Sequence, residues 1–390
     1  MSSNNSEGYD VVIIGGGIAG AGAVQASAAA GYKVLLLEKE AYGSQTSAHS
    51  SKLIHGGLRY LEGAQFGLVR ESLMQRRALL RLAPKLVKPI PFYIPVYKNS
   101  RRGVLILRAG LTLYTMLAGF EKLSRFNQLP KSNWPELKGL KQENLKAVFK
   151  YWDAQTDDQQ LTEAVIRCAQ SLGASTLCPA SFVSAIKIEN GYQISYDLDG
   201  ETQSCYSKCI INATGPWVNL VANTITPKFI APRIDWIKGS HIILKQPSPK
   251  HVYYLESKLD QRVILVMPWY GKTMIGTTEI AVTDINAEAT VTEQEIDYLL
   301  TTYKEYFPES DVEIESQFSG IRVLPANKKT SFKRSRESKL WSPEDHPNLR
   351  IIYGGKLTTF RSRSIEIVDW IQNRIGKRKP LADIDELEIF

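Results

Sequence analysis

Tyr9-Asp10-Val11-Val12-Ile13-Ile14-Gly15-Gly16-Gly17-Ile18-Ala19-Gly20 is the stretch that decides the fold. Tyr9 to Ile14 is a β-branched run of strand type that passes without a spacer into glycines at 15, 17 and 20. An alanine-rich stretch follows to Ala30, then Gly31, then the apolar run Val34 to Leu37 ending at Glu38. The order strand, glycine turn, helix, glycine stop and strand is one βαβ unit. Such a unit starts a parallel, doubly wound α/β sheet.

The three glycines of this pattern have separate roles. Gly15 makes the tight turn, Gly17 lets a pyrophosphate approach closely, and Gly20 brings the helix against the sheet. The helix amino terminus adds unpaired N–H groups and a positive dipole end. Glu38 stands at the end of the second strand, where it can accept hydrogen bonds from a ribose diol. The pattern serves NAD and FAD alike. Its place at the very start of the chain, with returning glycine turns at Thr214-Gly215 and Gly354-Gly355, favours one large cofactor laid across the whole domain, and therefore FAD.

Two further blocks extend the unit. From Phe182 to Gly215, alternating segments around Ile186-Ile188 and Ile194-Tyr196 are separated by the turn pairs Asn190-Gly191 and Asp199-Gly200, which predicts a three-stranded meander feeding a buried strand at Cys209 to Ala213. From Leu349 to Ile375, a strand at Arg350 to Tyr353 and a glycine turn precede a helix with Ile365, Val368, Ile371 and Ile375 on one side. Between these blocks lie an amphipathic Phe66 to Val87 helix, a proline-rich extended stretch and a strand-rich segment at 231–325. The expected organisation is a flexible tail at 1–8, an FAD-binding domain at 9–88, 154–230 and 346–378, a substrate domain inserted at 89–153 and 231–345, and a tail at 379–390.

The length of 390 residues calls for two domains, and 43% hydrophobic content makes both globular. A net charge of +8, spread along the chain, favours anionic partners: nucleic acid, an anionic membrane surface or a phosphorylated metabolite. Cys168, Cys178, Cys205 and Cys209 form no CxxC pair, so neither a zinc site nor a disulfide framework is expected. The polar start has no secretion signal, which implies a cytoplasmic protein. Val104 to Phe120 is apolar but short of a membrane span. With Lys98, Arg101 and Arg102 beside it, it suits either peripheral contact with the inner face of the cell membrane or a core helix.

Thr46-Ser47-Ala48-His49-Ser50-Ser51-Lys52-Leu53-Ile54-His55-Gly56-Gly57-Leu58-Arg59-Tyr60-Leu61-Glu62 narrows the reading further. This stretch closely resembles the signature of the FAD-dependent, quinone-linked glycerol-3-phosphate dehydrogenases. The resemblance continues at Asn212-Ala213-Thr214-Gly215-Pro216-Trp217, Lys238-Gly239-Ser240-His241, Met267-Pro268-Trp269, Ile275-Gly276-Thr277-Thr278-Glu279, Ser319-Gly320-Ile321-Arg322 and Gly354-Gly355-Lys356-Leu357-Thr358-Thr359. It implies a Rossmann-like FAD-binding domain of the second glutathione-reductase, or D-amino-acid-oxidase, type, with an inserted antiparallel-sheet substrate domain.

Carried over, the resemblance implies a substrate site of Arg59, Tyr60, His241, Thr277, Arg322 and Lys356, with His241, Arg322 and Lys356 catalytic and His241 the candidate base. Guanidinium and ammonium groups suit a phosphate dianion such as glycerol 3-phosphate. FAD would be held by Gly15, Gly17, Gly20, Glu38, Thr46, Ser47, Ser51, Lys52, Leu53, His55, Gly56, Gly57, Val183, Thr214, Gly215, Gly355, Lys356, Leu357 and Thr358. No metal and no nucleic acid are called for. The implied reaction oxidises sn-glycerol 3-phosphate to dihydroxyacetone phosphate and passes electrons to a quinone.

Three departures accompany the resemblance. Many bacterial members continue for about a hundred residues as a helical domain, whereas this sequence stops at Phe390. Arg322 is followed by Val323-Leu324-Pro325 where Pro-Leu is common, and His49 stands inside the serine-rich loop. The alternatives left open are a glycerol-3-phosphate oxidase using oxygen, an amino-acid or 2-hydroxy-acid oxidising flavoprotein of the same fold, and a flavin-binding protein without turnover.

Overall fold

In the computed structural model, which describes residues 8–285, 289–326 and 337–390, Gly8–Ile14 is the strand on which the first sheet is built. It pairs in parallel with Val34–Leu37 on one side and Glu201–Asn212 on the other. Ser175–Leu177 and Leu349–Tyr353 extend the parallel part. The residues before Gly8, read as a flexible tail, lie outside the described residues. Gly15 takes a φ of +102°, and a Cβ on Gly20 would lie 1.8 Å from the Gly15 carbonyl oxygen. Only glycine therefore lets the Ile18–Ala29 helix settle this close to the strand that feeds it.

The meander forms as Ser181–Ile188, Gly191–Leu198 and Glu201–Asn212, all antiparallel neighbours. Asp199 and Gly200 both have positive φ, as a two-residue hairpin turn requires. The long third strand is antiparallel to the meander in its first half and parallel to Gly8–Ile14 in its second, so meander and Rossmann-like unit make one nine-stranded sheet. Helices Ile18–Ala29, Asp158–Ser171 and Phe360–Ile375 cover one face over a core that includes Val24, Val165, Ile211 and Ile367. The last helix is rotated from the expected stripe. It buries Phe360, Ser364, Ile367 and Ile371, because its first turn sits on Gly22, where a Cβ would meet the Phe360 ring at 2.6 Å.

The second sheet has ten strands, with Ile234–Pro247 and Ile314–Pro325 at one end and Val87–Tyr97 and Leu145–Thr156 at the other. Pro89, Pro91 and Pro95 stand an even number of residues apart, so their missing N–H groups fall on the same side of the strand. The division between sheets does not follow the expected domain limits. Leu53–Ile54 and residues 154–156 belong to the second sheet, through pairs such as Ile54 with Ala154. Lys339–Trp341 joins the first sheet by pairing with Leu349–Tyr353. Residues 379–390, read as a tail, pack back on the first unit: Ile389 is buried, and its N–H donates to the Leu82 carbonyl.

Candidate active site

A cavity of about 520 Å³ lies between the two sheets. From the first unit it is lined by Gly15, Gly17, Glu38, Thr214, Gly215, Gly355, Leu357 and Thr358, and from the serine-rich segment by Thr46, Ser47, Ser51, Leu53 and His55. Tyr60, His241, Thr277, Arg322 and Lys356 line it as well. Six expected site residues are not on its wall: Gly20, Lys52, Gly56, Gly57, Arg59 and Val183. Val183 points its side chain outward at 45% exposure, and the wall at that place is Ala180, Ser181 and Phe182. Val183 is passed over in the pairing of its strand with the next, at an irregularity between Phe182 and Ser184.

At the glycine-turn end, the fit to a dinucleotide is physical. A Cβ on Gly17 would come within 3.2 Å of Ser47 Oγ, which accepts the Ile18 N–H at 2.9 Å. Backbone can thus approach a pyrophosphate only if position 17 has no side chain. Glu38 accepts the Gly16 N–H at 2.6 Å and the Glu40 N–H at 2.9 Å, which fixes both carboxylate oxygens. Gly16, not singled out by the fingerprint, is needed here too: a Cβ would meet Glu38 Cβ at 2.9 Å.

Lys52 and Gly56 act behind the wall. Lys52 Nζ donates to Asp158 Oδ1 at 2.7 Å, and the other Asp158 oxygen accepts from Ser50 N and Oγ at 3.0 and 2.6 Å. This buried pair anchors the serine-rich loop to the start of the Asp158–Ser171 helix. Gly56 N–H donates to Asp153, which also accepts from Arg76 Nη1 at 2.6 Å and Tyr114 OH at 2.9 Å. A Cβ on Gly56 would lie 2.3 Å from that phenol oxygen. Gly57, at φ +76°, leaves room for the Tyr60 ring.

At the other end the cations gather. Lys356 Nζ lies 3.9 Å from the Tyr60 ring centroid and Arg59 Cζ 5.1 Å from it, so one ring serves two cations. Lys356 also donates to Ser72 Oγ at 3.1 Å. Arg322 Nη2 donates to Glu279 at 3.2 Å, beside Thr277, and the carboxylate is buried. Arg322 is therefore aimed by an acid whose motif the sequence displays but whose contact it does not.

His241 is 2% exposed, stacked on Phe318 at 4.8 Å, with Nε2 3.0 Å from Ser51 Oγ. Its Nδ1 is enclosed without a hydrogen-bond partner among the described residues. Burial, and then the charges of Lys52 and Arg322, push its pKa down to about 3. The imidazole is neutral at physiological pH, and a proton on it would stand beside two cations. Its strand is tied down by the buried Lys238–Glu295 pair at 2.9 Å, with Ser240 and Thr278 hydroxyls donating to the same carboxylate.

Three kinds of comparison bear on this arrangement. Residues 10–358 match the family described as FAD dependent oxidoreductase. A glycerol-3-phosphate dehydrogenase of Synechocystis is 34% identical, the match covering 95% of this chain and 71% of the relative. A D-erythritol 1-phosphate dehydrogenase of Brucella abortus is 36% identical, covering 91% and 72%. Among solved structures, the FAD complex of the Bacillus halodurans glycerol-3-phosphate dehydrogenase superposes with a TM-score of 0.77 at 24% identity, over 100% of this chain and 68% of that one. An L-α-glycerophosphate oxidase of Mycoplasma pneumoniae superposes with a TM-score of 0.74 at 18% identity, over 95% and 97%; both structures speak to fold alone. With the dinucleotide cradle and the cation-lined end in one cavity, the chain belongs to the FAD-dependent oxidoreductases and, within them, to the glycerol-3-phosphate dehydrogenase family.

Proposed function

We propose that this protein oxidises the secondary alcohol of sn-glycerol 3-phosphate to dihydroxyacetone phosphate. The observation that carries the proposal is that Tyr60, Thr277, Arg322 and Lys356 line the same cavity as the dinucleotide cradle. FAD, when bound, accepts the hydride. Gly15, Gly17 and the Ile18–Ala29 amino terminus would hold its pyrophosphate, Glu38 its ribose, and the Thr46–His49 turn with Gly355 and Leu357 its flavin end. Arg322 and Lys356 hold the phosphate and compensate its charge, with Arg59 adding positive charge from beside the Tyr60 ring, while Tyr60 and Thr277 orient the carbon chain. His241 remains neutral and orients Ser51.

The test is anaerobic mixing of the FAD-loaded protein with candidate substrates. Glycerol 3-phosphate should reduce the flavin at least about 100-fold more efficiently than glycerol or lactate, because losing charge-assisted hydrogen bonds costs about 1.5–3 kcal/mol each. Faster reduction by D-erythritol 1-phosphate, the substrate in the Brucella relative's name, moves the assignment to a longer polyol phosphate. Reduction only by an amino or hydroxy acid overturns it.

The acceptor in this reading is a membrane quinone, reached by peripheral contact. No helix among the described residues is long and apolar enough to cross a membrane. The Val104–Leu117 helix buries Leu107, Leu111 and Tyr114 but leaves Leu105 81%, Ile106 63% and Met116 54% exposed, with Phe120 beyond it at 62%. Lys98, Arg101, Arg108, Lys122 and Arg125, all exposed, lie within or next to this segment in the sequence. Arg102, counted from sequence as part of the basic flank, is instead buried between Glu62 and Glu256. The protein should co-sediment with anionic liposomes at low salt and be partly released at high salt, since surface attraction is screened within about 10 Å at 0.1 M. Equal recovery in the supernatant with and without liposomes at low salt would remove the membrane from this reading.

A further inference from the structure

The turn that carries Tyr60 is short, and its own backbone does little to fix it. Leu58–Gly63 is a single 3-10 segment, with positive φ at both of its caps, Gly57 and Ala64. Such segments hold themselves weakly, and their side chains at i and i+3 eclipse. Arg59 and Glu62 therefore stand on one face of the turn, a cation beside an acid. Arg102, 40 positions further along, meets that acid with a fork: Nε donates to Glu62 Oε1, and Nη2 to Oε2 at 3.0 Å. Its Nη1 donates to Glu256 at 2.8 Å, on the strand Val252–Glu256. The Arg102 side chain is 10% exposed, against 44% for Glu62, so the pair is anchored from its buried end. Burial pushes the Tyr254 phenol up to about 12, and Arg102, Arg59, Glu62 and Glu256 all act on it through their charges, so the four share one neighbourhood.

We propose that Arg102 is a positioning residue for the substrate phosphate: by taking both oxygens of Glu62, it keeps Arg59 beside the Tyr60 ring. The assignment rests on the polyol-phosphate reading above. Tyr60 lines the cavity, and its ring carries Arg59 at 5.1 Å and Lys356 at 3.9 Å. With Arg102 in place, Glu62 has a bidentate partner that Glu256 holds in turn, and a guanidinium matches a carboxylate fork to fork. Without it, Glu62 draws on Arg59, which eclipses it three residues earlier in the turn. Two carboxylates would then have lost their shared cation behind Tyr60, and the positive charge beside its ring would fall. The phosphate would be held less tightly, while the hydride step at the alcohol carbon would keep its own groups.

The experiment compares FAD-loaded wild type, Arg102→Met and Arg102→Met/Glu62→Gln in anaerobic flavin reduction by glycerol 3-phosphate and in calorimetric titration with inorganic phosphate. Methionine keeps an unbranched stem in the buried space and removes the charge. Arg102→Met should raise KM and the phosphate Kd about tenfold with kcat changed less than about threefold, as loss of ground-state binding predicts. It should also melt earlier. Neutralising Glu62 as well removes the charge that would capture Arg59. The double variant should therefore recover both constants to within about threefold of wild type, a coupling between the two positions, while its melting temperature stays low. A purely structural ion pair gives a different result: both constants follow the melting temperature, and the second substitution improves neither. That result, or constants within about twofold of wild type in Arg102→Met, overturns the assignment. Should the methionine variant not fold, Arg102→Lys, which keeps a charge but not the fork, reads the same constants; a rise of about threefold supports the assignment and unchanged constants overturn it. A wild type that no polyol phosphate reduces overturns the function proposed above, and this assignment with it.

Discussion

Arg322→Ala should lower kcat/KM for flavin reduction by glycerol 3-phosphate about a thousandfold, and the protein should also melt earlier. In the proposed site the guanidinium gives a phosphate two charge-assisted hydrogen bonds, worth about 3–6 kcal/mol together, and each 1.4 kcal/mol is a factor of ten. The same charge can stabilise the alkoxide that develops as hydride leaves. The stability loss has a different origin. Glu279 is 6% exposed and hydrogen-bonded to Arg322 at 3.2 Å, so truncation removes a cation from beside a buried carboxylate at a cost of about 3–5 kcal/mol. The double variant Arg322→Ala/Glu279→Gln separates the two effects. It should regain most of the melting temperature and none of the turnover. Recovery of turnover in the double variant, or a loss under tenfold in the single one, would mean that Arg322 serves the fold and not the substrate.

Gly17→Val should yield a folded protein without yellow colour, with FAD affinity reduced at least about a thousandfold. A Cβ at this position already meets Ser47 Oγ at 3.2 Å, and two further methyl groups must go where the pyrophosphate comes against the backbone. Gly20→Ala provides the contrast. Its Cβ would lie 1.8 Å from the Gly15 carbonyl oxygen, so helix and strand cannot both keep their places, and soluble protein should not be recovered. Flavin absorbance after desalting and circular dichroism read the two outcomes separately. Stoichiometric FAD in purified Gly17→Val would show that the pyrophosphate does not pass this glycine.

Arg102 and Val183 show how local reading fails. Sequence neighbourhood places one in a basic flank, and the family resemblance places the other among the residues that hold the cofactor. Arg102 is drawn inward because Glu62 and Glu256 converge on it from 40 and 154 positions away. Val183 faces outward at an irregularity in the strand pairing between Phe182 and Ser184, which composition does not announce. The rotated Phe360–Ile375 helix is a like case: its apolar residues allow more than one stripe, and contact with Gly22 selects one.

What the sequence by itself determined is whatever is carried by neighbours in the chain. The βαβ unit, the tight turn at Gly15 and the close helix approach at Gly20, the meander turn at 199–200, and family membership through the Thr46–Glu62 signature are all local patterns. Only the tertiary structure decided how charges are paired and which groups water reaches. Lys52 meets Asp158 across 106 positions, Gly56 meets Asp153 across 97, and Arg322 meets Glu279 across 43. The difference between His49 and His241 is of the same kind. Both are imidazoles in the chain, but of the two His241 is the buried one, and desolvation with the field of Lys52 and Arg322 holds it neutral. Burial and electrostatic field are properties of the packed molecule, and no spacing in the sequence encodes them.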